Sequence, residues 1–356
     1  EQHDKPGGFC HCWEGVGSMD GELPRFRFDA GVHDVSGYFP GGTVHTLLER
    51  LGLSDALIWR RMDHAFVDDG GRWDVPRGWD AFVDALATRH PGQAPALRQA
   101  LAEARTIFED LYATATDRGG VPGQPASVEA LKAYAREHPL AVRWMTRPFT
   151  EFLAHHGVEG AAARTLVSLA GYVTHDAAAL TVNQAVPLLG YFLHGGHYPL
   201  GGSGALSQAL ADVLAFDGGE LHLGRAVAAI ETDPAGGGVQ AVRLADGRRI
   251  RCRAVVMNGD ALSARDLLRA GGAVPAALEA QLEGLAPAAS MFSVHLGVRG
   301  QAPALPAIVH LHHAHGVAPL EVVLPSTVDT GASPPGTFTV ELMQLLSPEE
   351  AATWFE

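Results

Sequence analysis

The stretch Gly201-Gly-Ser-Gly-Ala-Leu-Ser-Gln-Ala-Leu-Ala-Asp-Val-Leu214, followed by Gly218-Gly-Glu-Leu-His-Leu-Gly-Arg-Ala-Val-Ala-Ala-Ile230, decides the architecture. Leu206, Leu210, Val213 and Leu214 recur at helical spacing, with Ser203 as the N-cap and Gly218-Gly219 as the stop. Beyond the stop the period becomes that of strands, predicted at Glu220–Leu223, Ala226–Thr232, Val239–Ala245 and Arg249–Met257. A Pro-Ala-Gly-Gly-Gly turn and Asp246-Gly247 join the last three. Helix followed by meander is a two-layer α/β arrangement.

Working outward, Arg25-Phe-Arg-Phe-Asp29 alternates as a short strand, and a helical block occupies about 92–195. In it Leu97, Leu101, Phe108, Leu111 and Tyr112 form one helical face, which Gly119-Gly120 ends. Ser127 caps a second helix, a third spans Trp144–His155 with a kink near Pro148, and a fourth runs from Glu159 to Tyr172. Downstream come a helix at Leu262–Leu268 and strands at Ser290–Val298, Ala307–His312, Leu320–Leu324 and Thr337–Leu345. Helix-rich and strand-rich stretches alternate, which predicts two domains assembled from discontinuous segments. The chain opens at Glu1 and stops just after a fresh helix start, Ser347-Pro-Glu-Glu, so segments are expected to be missing at both ends.

Composition narrows the function. The 356 residues carry a net charge of −14, and their longest basic run is Arg248-Arg-Ile-Arg251, which excludes a nucleic-acid binder because phosphate neutralisation needs clustered cations. Three cysteines cannot make a disulfide framework, which points to a reducing, cytoplasmic setting. No uncharged apolar run reaches the length of a spanning helix. Cys10-His-Cys12 packs its ligands too tightly to close a zinc tetrahedron, and His310, His312, His313 and His315 read as an exposed strand end, so no metal is assigned.

Glu1-Gln-His-Asp-Lys-Pro-Gly-Gly8 suits the segment of a dinucleotide-binding unit in which an acid accepts ribose hydroxyls and glycines admit a close backbone approach, although GxGxxG is absent. This segment, Phe28-Asp-Ala-Gly-Val-His33, His197-Tyr-Pro-Leu-Gly-Gly-Ser-Gly-Ala-Leu206, the meander and Ala254-Val-Val-Met-Asn-Gly-Asp260 stand in an order that resembles the flavin-dependent phytoene desaturase family. That family includes carotenoid isomerases and retinol saturases within the amine-oxidase-like flavoproteins. Pro325-Ser-Thr-Val-Asp329 and Ser333-Pro-Pro-Gly336 look like its late strands.

The resemblance implies an incomplete Rossmann-like FAD-binding domain (1–45 and 197–272) interleaved with a mixed-sheet and helical substrate domain (46–196 and 273–356). It implies that Glu1, Gly7, Gly8, Asp29, Gly31, Val227 and Asn258 meet FAD, with Asn258 ending a strand beside it. Phe9 stands where relatives often carry a basic residue, and the first Gly-rich loop and closing segment are lacking. A polyene or prenyl substrate has no charged handle, so the expected site is an apolar tunnel, with Ala161–Leu193 as its wall and reversible contact with a membrane surface. The acid–base candidates are His33, Asp34 and His197. Desaturation heads the expected reactions, with isomerisation and saturation beside it. An amine oxidase using Tyr172, Tyr191 and Tyr198, or a non-catalytic prenyl carrier on the scaffold of the GDP-dissociation inhibitors, are the alternatives.

Overall fold

The structure, a computed structural model, describes the whole chain except residues 19–20, 114–126, 171–178, 234–237, 273, 286–287, 313–318 and 355–356. It divides into two compact units. The smaller combines Glu1–His11 with Ser207–Ala288, and the larger combines Cys12–Leu206 with Ala289–Glu356. Compactness thus divides the chain after residues 11, 206 and 288, while the expected cofactor and substrate domains divide it after 45, 196 and 272. Residues 12–45 pack within the larger unit because their strands and the carboxylate of Asp29 are tied to it.

In the larger unit β1 (Cys12–Val16) and β2 (Arg25–Asp29) form an antiparallel pair, the second as the alternation predicted. β3 (Trp59–Met62), β4 (His64–Asp68) and β5 (Gly71–Asp74) follow, and β6 (Gly196–Pro199) returns to pair with β3. The helical block lies between β5 and β6. The predicted Trp144–His155 helix is two helices, Pro139–Trp144 and Phe149–His155, because Pro148 has no N–H with which to continue the ladder. Ser127 caps its helix by accepting from the Ala130 amide. The stop at Gly119-Gly120 and Tyr172 lie outside the described residues. Phe82, Leu86, Leu97, Leu101, Trp144, Phe149, Phe152, Leu166 and Phe192 fill one core that joins these helices.

The smaller unit pairs β7 (Val227–Thr232), β8 (Val239–Leu244) and β9 (Arg249–Arg251) as an antiparallel meander, against which helix Ala261–Gly271 packs. Gly271 allows that approach, since a Cβ there would strike the Ile230 carbonyl. Two expected strand segments are not formed. Residues 220–223 are irregular, and the strand expected over Arg249–Met257 ends at Arg251. Among the described residues no strand runs beside 254–258, and Val256 is left 94% exposed. The parallel sheet of a Rossmann unit is likewise not formed among the described residues of this unit.

Back in the larger unit, β10 (Ser290–Arg299), β11 (Ile308–Leu311), β12 (Leu320–Val323) and β13 (Thr337–Leu346) complete a six-stranded sheet in the order β10-β13-β12-β11-β4-β5. Only β4 and β11 run parallel. β11 is an inner strand, so His310 is 3% exposed and not part of an exposed strand end; it and His312 both contact the Phe66 ring, as strand alternation requires of same-face neighbours. His313 and His315 lie outside the described residues.

Candidate functional site

A cavity of about 910 Å³ opens in the larger unit, within the size range of small-molecule sites. One wall is helix Val182–His194, whose Asn183, Gln184, Pro187, Leu188 and Tyr191 face it; the span from residue 183 to residue 191 is about 12 Å of helix. Phe108 and Tyr112 form a second wall, and the loop from Asp34 to Phe39 with the start of helix Thr43–Arg50 a third. Pro187 has no N–H to offer the Asn183 carbonyl, which leaves a polar group of the wall without that helical partner. Gly190 lets the Phe108 ring lie against the helix, where any Cβ would collide with it. Of the expected wall Ala161–Leu193, only residues between 180 and 191 line this cavity. Helix Gly160–Ala170 turns Ala162, Leu166 and Leu169 into the core and does not line the cavity, and 171–178 lie outside the described residues.

The polar end of the cavity is built by strand pairing. Arg61 on β3 donates to the carbonyls of Phe192, Leu193 and His194, which fixes the C-terminal end of the helix that carries Tyr191. Gly195, at φ 91°, then turns the chain into β6, and Val35 and His197 exchange backbone hydrogen bonds at 2.8 and 2.9 Å. Asp34 is thereby held over Gly196, at which a Cβ would run into Asp34 Oδ2. The Asp34 side chain is only 6% exposed and accepts the Tyr191 hydroxyl at 2.6 Å.

Behind Asp34 the sheet carries a row of buried ionisable groups. His33 Nε2 is 2.9 Å from Glu321 Oε1 and 4.0 Å from Asp34 Oδ1. Glu321 lies directly opposite His310 in the β11–β12 register, with Oε2 3.8 Å from His310 Nδ1, and His310 Nε2 meets His64 Nδ1 at 3.1 Å. Burial alone would push His33 down, but Glu321, with help from Asp34 and Glu341, raises it to about 10. Burial raises Asp34 and Glu321 against the pull of His33. Two carboxyl groups around one imidazolium leave one charge matched and favour a proton on the other carboxyl. His64 is pushed down to about 3 by burial and by the His33 charge, and burial holds His310 well below its ordinary value.

These values have a sign in stability. A buried histidine with a depressed pKa stays neutral in the fold while the unfolded chain takes a proton, so its contribution is lost as pH falls below about 6.5. Asp34 and Glu321 act oppositely, because their raised values let the fold take protons first. His64→Phe is therefore expected to flatten the loss of unfolding free energy between pH 6 and 4 by about 1.4 kcal/mol per pH unit. Urea titrations at each pH measure the slope, and a slope equal to that of the parent protein would contradict a neutral buried His64.

The predicted site residues fall into two sets. Asp29, Gly31, His33, Asp34 and His197 belong to the larger unit, and Glu1, Gly7, Gly8, Val227 and Asn258 to the smaller. Of the acid–base candidates the structure brings His33 and Asp34 together. His197 sits in β6 with its ring Nδ1 on the Gly195 carbonyl, and burial, with Arg61 nearby, lowers its pKa. Asp29 is 1% exposed, and protein donors occupy its carboxylate: Ser203 N at 2.7 Å, Ser203 Oγ at 2.8 Å, Tyr198 OH at 2.8 Å and Cys12 Sγ at 3.3 Å. Ser203 is therefore the first residue of helix Ser203–Phe216 and not its cap; Asp29 supplies the cap. Tyr198, spent on Asp29, does not share the cavity with Tyr191. Gly31 is exposed beyond β2.

In the smaller unit Glu1 and His3 accept from the amides of Arg225 and Gly224 at 2.8 Å, and Glu1 Oε1 accepts from the His3 amide. Gly7 is required by Ser207, which a Cβ would strike. Gly8 has φ 56° and nothing within 4 Å of a Cβ position, so its backbone stands open, and Glu1 is exposed. That open, left-handed turn fits the approach of a dinucleotide. Val227 starts β7, and Asn258 lies in the irregular segment after β9 and does not end a strand. Glu321, His310 and His64 were not singled out as acid–base groups; the parallel β4–β11 pairing that assembles them joins segments about 245 residues apart, and only the His310 cluster marked one of them.

Among the described residues no group of three His, Cys, Asp or Glu side chains is disposed to hold a metal, and no helix is long and apolar enough to cross a membrane.

Prolycopene isomerase from the chloroplast of Arabidopsis thaliana is 26% identical over 179 residues, 48% of this chain but 29% of that protein, so the chain spans well under half of the relative's length. An oxidoreductase from Methanosarcina mazei superposes with a TM-score of 0.61 at 17% identity, over 100% of this chain and 74% of that one. A Pyrococcus furiosus protein gives 0.61 at 14% identity, over 100% and 75%. At such identities the two structures establish a shared fold. The family model of flavin containing amine oxidoreductases matches residues 1–353, and the chain belongs to that family, with FAD as its cofactor.

Proposed function

We propose that the protein is an FAD-dependent oxidoreductase that acts on an isoprenoid polyene, with desaturation as its reaction. The observation that carries this is the cavity itself: a space of about 910 Å³ to which Phe39, Val44, Phe108, Leu180, Pro187 and Leu188 give an apolar lining beside the polar Ser36, Thr43, Asn183 and Gln184, with one buried acid–base group, Asp34, beside Tyr191. Such a wall binds a chain without charged handles through buried area, at about 25 cal/mol per Å². FAD, when bound, supplies hydride acceptance and return. Asp34 takes the proton that a desaturation releases, and Tyr191 orients its carboxyl group. Glu1, Gly8 and Val227 would hold the dinucleotide, as the resemblance implies.

A second reading, polyene isomerisation, is favoured by the likeness to prolycopene isomerase. Incubation of the FAD-loaded protein with phytoene, with prolycopene and with benzylamine, followed by chromatography, separates the readings. New double bonds in phytoene are expected; a changed isomer of prolycopene alone would move the assignment to isomerisation, and turnover of the amine alone would overturn the polyene substrate. A hydrophobic substrate also implies reversible contact with a membrane surface. Co-sedimentation with phosphatidylcholine liposomes is expected, and protein left wholly in the supernatant would count against it.

A further inference from the structure

We propose that His33, Glu321 and His310 form a proton path that connects Asp34 in the large cavity to a second, much smaller chamber. This rests on Asp34 as the acid–base group of the cavity. The second chamber, of about 20 Å³, is lined by His310, His312, Glu321, Met291, Met343 and Leu345. That is room for about one water molecule, and the three polar side chains are the partners such a water needs. The chain of contacts is continuous in direction. Tyr191 OH lies 2.6 Å from Asp34 Oδ2, Asp34 Oδ1 4.0 Å from His33 Nε2, His33 Nε2 2.9 Å from Glu321 Oε1, and Glu321 Oε2 3.8 Å from His310 Nδ1. The two long gaps exceed hydrogen-bond length by about 1 Å, a distance that side-chain rotation closes.

Glu321 is the pivot, since its two oxygens face different imidazoles, and it contributes to the lining of the small chamber while His33 joins it to the large one. In a transfer, His33 gives its Nε2 proton to Glu321, the Asp34 proton refills Nε2, and Glu321 passes its proton to His310 and the chamber. One proton crosses and only O–H and N–H bonds change. The groups that face this path are His33 and Asp34 after β2, Tyr191 on helix Val182–His194, Arg61 on β3, Asp63 between β3 and β4, His64 on β4, His310 on β11, His312 after it, Glu321 on β12 and Glu341 on β13. His64, hydrogen-bonded to His310 and held near pKa 3, does not retain the proton. A face of apolar side chains would have filled the same space without the desolvation cost of these groups, so a role in packing does not account for them.

Exchange of the His33 imidazole proton with water tests this without any polyene. The FAD-loaded protein, labelled with nitrogen-15 in histidine, is compared by NMR as Asp34→Asn, which closes the cavity route, and as Asp34→Asn combined with His310→Phe or with Glu321→Gln. The single variant is expected to retain exchange through the small chamber, and each combination to slow it at least tenfold. Glu321→Gln keeps size and hydrogen bonding, so it decides the matter where His310→Phe does not fold. Equal exchange in the single and combined variants would overturn the path. Full turnover in Asp34→Asn would instead remove the assigned role of Asp34, and the exchange result would stand apart from it.

Discussion

Replacement of Asp29 by leucine is expected to lower stability by about 3–5 kcal/mol, the largest effect of any single substitution considered for this chain. Its carboxylate is 1% exposed and receives the Tyr198 hydroxyl, the Ser203 amide and hydroxyl, and the Cys12 thiol. Leucine would leave those donors buried without an acceptor and would strip the cap from helix Ser203–Phe216, whose N-terminal dipole also favours the negative charge. Burial, with the Asp29 charge beside it, pushes the Cys12 thiol up to about 12, so that group stays a donor. Asp29→Asn keeps one acceptor oxygen and should cost about half as much. Urea unfolding followed by tryptophan fluorescence reads the difference, and a loss below about 1 kcal/mol for leucine would contradict the capping role.

The second large effect is on turnover. Asp34→Asn is expected to reduce kcat on phytoene by about 10²- to 10⁴-fold, the usual worth of a positioned acid–base group. Asparagine is isosteric and still accepts the Tyr191 hydroxyl, and the other lining residues are unchanged, so KM and the flavin spectrum should change little. A kcat within tenfold of the parent value would show that the proton leaves by another route.

Much of the fold was legible in the residues because it is written locally. The alternation of Arg25–Asp29, the stop at Gly218-Gly219 and the helix start at Ser347-Pro-Glu-Glu each act within a few residues, and each forms as read. Local pattern and structure part where a distant segment decides the outcome. Ser203 looked like a cap until Asp29, 174 residues earlier in the chain, took that place. Ala254–Met257 has strand composition but no described neighbour to pair with. The strand of His310, taken by itself, has the composition of an exposed end, whereas β4 and β12 flank it and bury it. The site follows the same rule. His33 and Asp34 were legible as polar groups beside a motif, but Glu321 and His64 reach them only through the order of the six-stranded sheet.

The most direct measurement is the absorbance of the FAD-loaded protein mixed anaerobically with phytoene. If the cavity holds a polyene for desaturation, the oxidised flavin bands bleach while bands of a longer conjugated product rise in equal amount, and Asp34→Asn shows the flavin bands unchanged on the same timescale. Flavin bands that persist in the parent protein with phytoene, or a protein that retains no FAD, would contradict the account.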